Sequence, residues 1–170
     1  MVWILNYFLI IAYGLEFHTF PITDSPPNPR KGLIMDAIPS HNSMVGFGGY
    51  ENRESIYSDI WQFNVTSNTW NALFGTNNYS PDGRYCGGGF YRYKSEEYCI
   101  WGGRSSKGVL NDIWCFHLRY FTWREIEING NTIVNSRYKI GYTSWNETGI
   151  TMFAVFGGIS TDALSRDLFM

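Results

Sequence analysis

Three regularly spaced arginines, three aspartates and the only three cysteines are the residues whose types and spacing can do chemistry. Arg30, Arg84 and Arg137 recur at intervals of 54 and 53 residues, each followed further on by Asp59, Asp112 or Asp167. Guanidinium groups repeated this way can converge into a ring that grips an anionic ligand. They can equally tie strands to neighbouring turns through Arg–carboxylate bonds. Cys86 and Cys99 flank a polar turn centred between Arg92 and Tyr93 almost symmetrically. They can therefore form a cross-strand disulfide in an oxidising compartment, or remain buried thiols that pack as small apolar groups. Cys115 lies one strand further on, and no Cys-x-x-Cys spacing points to zinc. His18, His41 and His117 are scattered and no carboxylate cluster accompanies them. Neither a Gly-x-Ser-x-Gly elbow nor a phosphate loop occurs. No catalytic constellation, metal site or cofactor is expected.

The elements that position these residues form a repeat. Val45-Gly46-Phe47-Gly48-Gly49 leads to Asp59-Ile60-Trp61 and then Trp70. Cys99-Ile100-Trp101-Gly102-Gly103 leads to Asp112-Ile113-Trp114 and then Trp123. Ala154-Val155-Phe156-Gly157-Gly158 leads to Asp167-Leu168-Phe169. The arginine precedes the first glycine of the pair by 18, 18 and 20 residues, and Asp to Trp is 11 in both full copies. A period of this length means stacked copies of one small β-unit.

The middle copy reads as four short strands: Arg84 to Tyr91, Glu97 to Trp101, Val109 to His117 and Thr122 to Ile128, separated by turn residues. The glycine pair allows positive φ and a close approach to a neighbouring chain. Burying one Trp removes roughly 150–250 Å² from water, an upper bound of about 4–6 kcal/mol. Trp61, Trp70, Trp114 and Trp123 are therefore expected as anchors between copies.

This pattern resembles the kelch repeat. The resemblance is carried by Pro81-x-x-Arg84, Trp101-Gly102-Gly103, Asn111-Asp112-Ile113-Trp114-Cys115-Phe116 and Trp123, with matching positions in the other copies. It implies an all-β fold, an incomplete kelch-type β-propeller of four-stranded antiparallel blades. The units are expected at 30–76, 84–129 and, truncated, 137–170, with 15–23 a lone outer strand. Propellers close with about 4–8 blades, so other blades or chains are expected to complete this one. The resemblance implies a non-enzymatic module that binds a protein partner, or a glycan, through loops after each glycine pair. Tyr50, Glu51, Arg53, Glu54, Arg104, Lys107 and Asp162 are the candidate contacts, because these loops vary among the copies. Two alternatives stay open: a fragment of a propeller enzyme similar to copper-radical oxidases, and an architectural segment of an extracellular receptor.

Composition bounds the rest. Charged residues make up only 16% of the chain while 44% is hydrophobic, so much of its length is available for burial. A net charge of −2 without a basic block argues against nucleic acid. Residues 1–14 read as a signal peptide, because the apolar run ends in Ala12-Tyr13-Gly14 and is too short to span a bilayer. A buried first strand is the other reading of this run. The first reading places the protein in the secretory pathway, where Asn64, Asn78 and Asn146 are candidate glycan acceptors. The second leaves it cytoplasmic.

Overall fold

The computed structural model describes residues 8–13, 16–21, 25–52, 54–128, 134–161 and 163–170. Strands β1 (Phe8–Tyr13) and β2 (Glu16–Pro21) pair as an antiparallel hairpin. Next come β3 (Ile34–Ile38), β4 (Ser43–Phe47), β5 (Ile60–Asn64) and β6 (Thr69–Leu73), a four-stranded antiparallel meander that forms blade 1. Blade 2 repeats this order with β7 (Gly88–Arg92), β8 (Glu97–Trp101), β11 (Ile113–His117) and β12 (Thr122–Ile126). A two-residue ribbon, β9 (Arg104–Ser105) with β10 (Gly108–Val109), crosses the loop after its glycine pair. Blade 3 holds β13 (Gly141–Glu147), β14 (Ile150–Phe156) and β15 (Leu168–Phe169). Among the described residues no closed barrel forms; blades 1 and 2 are the expected four-stranded antiparallel sheets, and blade 3 has three strands.

The turns follow from local chemistry. Asn64 Oδ1 accepts the N–H groups of Thr66 and Ser67, folding the chain back from β5 to β6. Asn68, Glu96 and Phe121 take left-handed backbone conformations just before their return strands.

The inner strands lie side by side, and blade-to-blade contact is made by large side chains. Every residue of β8 is buried, as expected for a strand covered on both faces. The fully buried Tyr98 donates its hydroxyl to the Ile34 carbonyl of blade 1 at 2.6 Å. Trp123 packs edge-on to Phe47 of blade 1 at 5.2 Å and against Phe116 of its own blade at 5.0 Å. Trp70 stays within its blade, against Phe63.

The glycine pairs act between blades. Gly48 and Gly49 have φ of +72° and +92°, and Gly49 N–H donates to the Arg84 carbonyl at 2.8 Å. Gly103 donates likewise to Arg137 at 2.9 Å. A Cβ on Gly48 would run into the Arg84 carbonyl oxygen, so only glycine fits.

Two expectations need correction. The disulfide joins Cys99 to Cys115, not Cys86 to Cys99. The β7–β8 turn is Tyr93–Glu96, which pairs Cys99 with Phe90 on one side, while Cys99 faces Cys115 directly on the other. Cys86 precedes β7, in a left-handed turn with φ of +56°, and is free. The strand expected alone at 15–23 is not alone: β2 pairs in full with β1, whose residues the sequence reading assigned to a leader.

Candidate functional site

The three arginines are bound into the scaffold. Arg84 is fully buried and forks onto Asp112, with N–O distances of 2.5 and 2.9 Å, and also donates to the Gly102 carbonyl. Arg30 makes the same bonds to Asp59 and the Gly48 carbonyl. Arg137 donates to the Gly157 carbonyl and to Ser165, with Asp167 at 3.6 Å. Burial pushes the Asp112 carboxyl up, but the Arg84 guanidinium and the Trp114 indole outweigh it and hold the group below the usual carboxylate range. Trp61 Nε1 donates to Asp59 as Trp114 Nε1 does to Asp112. Each arginine thus ties a blade's opening segment to its glycine pair and its third strand, so the three do not form a ring open to a ligand.

The residues beside these fixed positions build a surface. The residue after each arginine pairs with the residue after each glycine pair: Lys31 with Tyr50, Tyr85 with Arg104, Tyr138 with Ile159. The register carries the variable side chains of successive blades onto one face. Tyr50 and Tyr85 pack with tilted rings at 4.3 Å, and Tyr85 meets Tyr138 edge-on at 6.3 Å. The Arg104 guanidinium lies 5.4 Å from the Tyr138 ring centre. With Ser105, Ser106 and Lys139 they line a depression of about 420 Å³. Its charged lining residues, Arg104 and Lys139, are both cationic.

Of the candidate contacts, Tyr50 and Arg104 belong to this depression. Glu51 and Glu54 are exposed on the adjoining loop, and Glu51 accepts from the Tyr57 hydroxyl. Lys107 is exposed and paired with Asp82 at 2.8 Å. Arg53 and Asp162 lie outside the described residues. Tyr85, Tyr138 and Lys139 were missed by the loop reading because they belong to the segments that open blades 2 and 3. Their place within two residues after the repeated arginines is the signal that finds them.

The other chemical groups are engaged elsewhere. Glu97, Cys99 and Cys115 place potential ligand atoms within 4.8 Å of one another. The two sulfurs are joined, and the carboxylate accepts bonds from Arg92, Ser95 and Arg124. His117 Nδ1 accepts the Arg119 N–H and caps a turn. Asn78 and Asn146 are exposed, while Asn64 is partly buried in its turn. No helix among the described residues is long and apolar enough to cross a membrane.

A family model, the KLHDC2/KLHL20/DRC7 Kelch-repeats domain, matches residues 6–170. The chain belongs to the kelch-repeat family. No curated protein sequence matches it. The family match takes in the β1–β2 hairpin as well as the three blades. Kelch-repeat domains are generally protein-interaction modules, and the scaffolding of Arg30, Arg84 and Arg137 described above is the repeat pattern rendered in hydrogen bonds.

Proposed function

We propose that this kelch-repeat chain captures a polypeptide partner on the face formed by the loops after each glycine pair and the segments that open the blades. The observation that carries this reading is the row Tyr50, Tyr85 and Tyr138 with Arg104 beside it. Aromatic side chains supply contact area at low entropic cost, and arginine pairs with carboxylates through two parallel bonds. The partner segment therefore carries an acidic group, an Asp or Glu side chain or a C-terminal carboxylate, set between Arg104 and Lys139.

Panning a displayed library of random peptides against the chain tests this. Enriched peptides are expected to carry carboxylates and to lose binding to Arg104→Ala and Tyr85→Ala proteins of unchanged circular dichroism. Peptides that bind those variants as well as the parent would sink the reading.

The same proposal has the chain completed by further blades, its own or another chain's. The exposed apolar surface of blade 3 supports it: Phe156, Leu168 and Met170 are 56%, 60% and 81% exposed. It also routes the protein through the secretory pathway, which the Cys99–Cys115 bond supports, since such bonds persist in oxidising compartments.

A further inference from the structure

The other end of the inner strands carries a second site. In an antiparallel meander the turns after the first and third strands lie opposite the loops after the second, so this end is remote from the tyrosine row. Here a cavity of about 230 Å³ opens between the turns of all three blades. Its walls are Tyr91, Tyr93, Trp145 and Pro39, and its acidic group is Asp36.

Asp36 has no cationic partner among the described residues. Its Oδ1 accepts the Ala37 N–H at 2.8 Å and its Oδ2 faces the Ser144 hydroxyl at 3.3 Å. Burial pushes its carboxyl up, against the lowering effect of bonds from Ala37, Tyr91 and Ser144. A part-buried carboxylate without a counter-ion costs free energy, which these hydrogen bonds offset only in part.

Asp36 is also a departure from the repeat. It lies six residues after Arg30, and the same step from Arg84 reaches Phe90, which is 8% exposed and stacks on Phe153. The scaffold therefore accepts an apolar side chain at this position, and the carboxylate is peculiar to blade 1. Around it, Tyr91 and Tyr93 meet edge-on at 5.4 Å. Tyr93 and Trp145 are 47% and 40% exposed, so their rings remain available to a ligand.

We infer that this cavity receives the cationic side chain of a partner polypeptide, a lysine or arginine. Its charged end sits at Asp36, and its methylene stem lies against Tyr91, Tyr93 and Trp145. An acid at the end of an aromatic-walled recess suits an ammonium or guanidinium group, because carboxylate and ring faces both attract the cation. The inference is independent of the tyrosine row, since no residue is shared.

Saturation-transfer NMR on the full chain tests it, with acetylated and amidated Gly-Gly-X-Gly-Gly peptides in which X is lysine, arginine or norleucine. The lysine or arginine peptide is expected to show transfer to its side-chain methylenes and to bind about tenfold more tightly than the neutral norleucine peptide. Asp36→Asn and the more exposed Trp145→Ala should each weaken binding about tenfold, while Arg104→Ala should not change it. Equal binding of the norleucine peptide, unchanged binding by folded Asp36→Asn, or no transfer at millimolar peptide would overturn the inference. Preference for free tetramethylammonium over both basic peptides would overturn the polypeptide source.

Discussion

The backbone N–H of Gly49 lies 2.8 Å from the carbonyl oxygen of Arg84, joining the end of one blade's second strand to the start of the next blade. A Cβ on the glycine before it would collide with the same carbonyl. Gly48→Ala is therefore expected to cost about 2–4 kcal/mol, from a left-handed conformation and a backbone collision together. Gly141→Ala, with its nearest atom at 3.7 Å, should stay within about 0.5 kcal/mol of the parent. Urea midpoints of the two variants check the difference.

Asp112→Ala leaves the guanidinium of Arg84 buried without its carboxylate, and a loss of about 3–5 kcal/mol is expected. Asp167→Ala should cost under about 1 kcal/mol, because Asp167 is 58% exposed and Arg137 keeps Ser165 and the Gly157 carbonyl. Equal losses in chemical denaturation would show that the arginine bonds do not matter in the way described.

Acid should weaken the fold through Asp112 and Glu97. Burial raises Glu97, but bonds from Arg124 and Ser95 and the charge of Arg92 bring it below its ordinary 4.5. Asp112 is likewise held below 3.8. For both, the folded state favours the carboxylate. Their contribution is present above those ordinary values and is lost as pH falls through the depressed folded ones. Asp36 has the opposite sign, because its folded value is raised above 3.8. Its contribution is complete below 3.8 and is lost as pH rises through the folded value. Asp36→Asn should therefore raise the urea midpoint at pH 7 and gain nothing near pH 3. An equal gain at both pH values would count against this account.

Peptide mapping without reductant should recover Cys99 linked to Cys115, and Cys86 as a thiol that maleimide labels once the chain is unfolded. With 16 residues of separation, the bond should contribute about 3 kcal/mol, read as the midpoint shift between the parent and the Cys99→Ala, Cys115→Ala double variant. A Cys86–Cys99 peptide would refute the pairing.

Trp70 Nε1 is buried without a hydrogen-bond partner among the described residues. Trp70→Phe removes that unpaired donor along with some packing area and should change stability by less than about 1 kcal/mol. Trp123 spans blades by packing on both Phe47 and Phe116, so Trp123→Phe should cost more, about 1–2 kcal/mol. Thermal unfolding of the pair decides.

The blades were legible because their markers are local and repeated. Arg84, Gly102-Gly103, Asp112 and Trp123 each answer a backbone need that recurs at a fixed step. The strand β8 was bounded as found, Glu97–Trp101, because glycines stop it and a polar turn starts it. The cysteine pairing was not legible, since moving the turn from its expected centre to Tyr93–Glu96 changes which residues face each other. The tyrosine row was half legible. Tyr50 sits in a variable loop, whereas Tyr85 and Tyr138 sit beside fixed arginines and read as scaffold. The Asp36 cavity gave no linear signal, because its walls come from three blades and meet only once the inner strands are side by side.

The bond from Gly49 to Arg84, repeated from Gly103 to Arg137, is answered in the other direction: Cys86 N–H donates to the Gly32 carbonyl and Lys139 N–H to the Cys86 carbonyl, each at 2.8 Å. Each seam is therefore stitched from both sides. An injury at Arg84 or at Gly49 breaks a bond that both blades share. Amide hydrogen exchange would record this as protection lost on both sides of a seam together, so that neighbouring blades open as one unit.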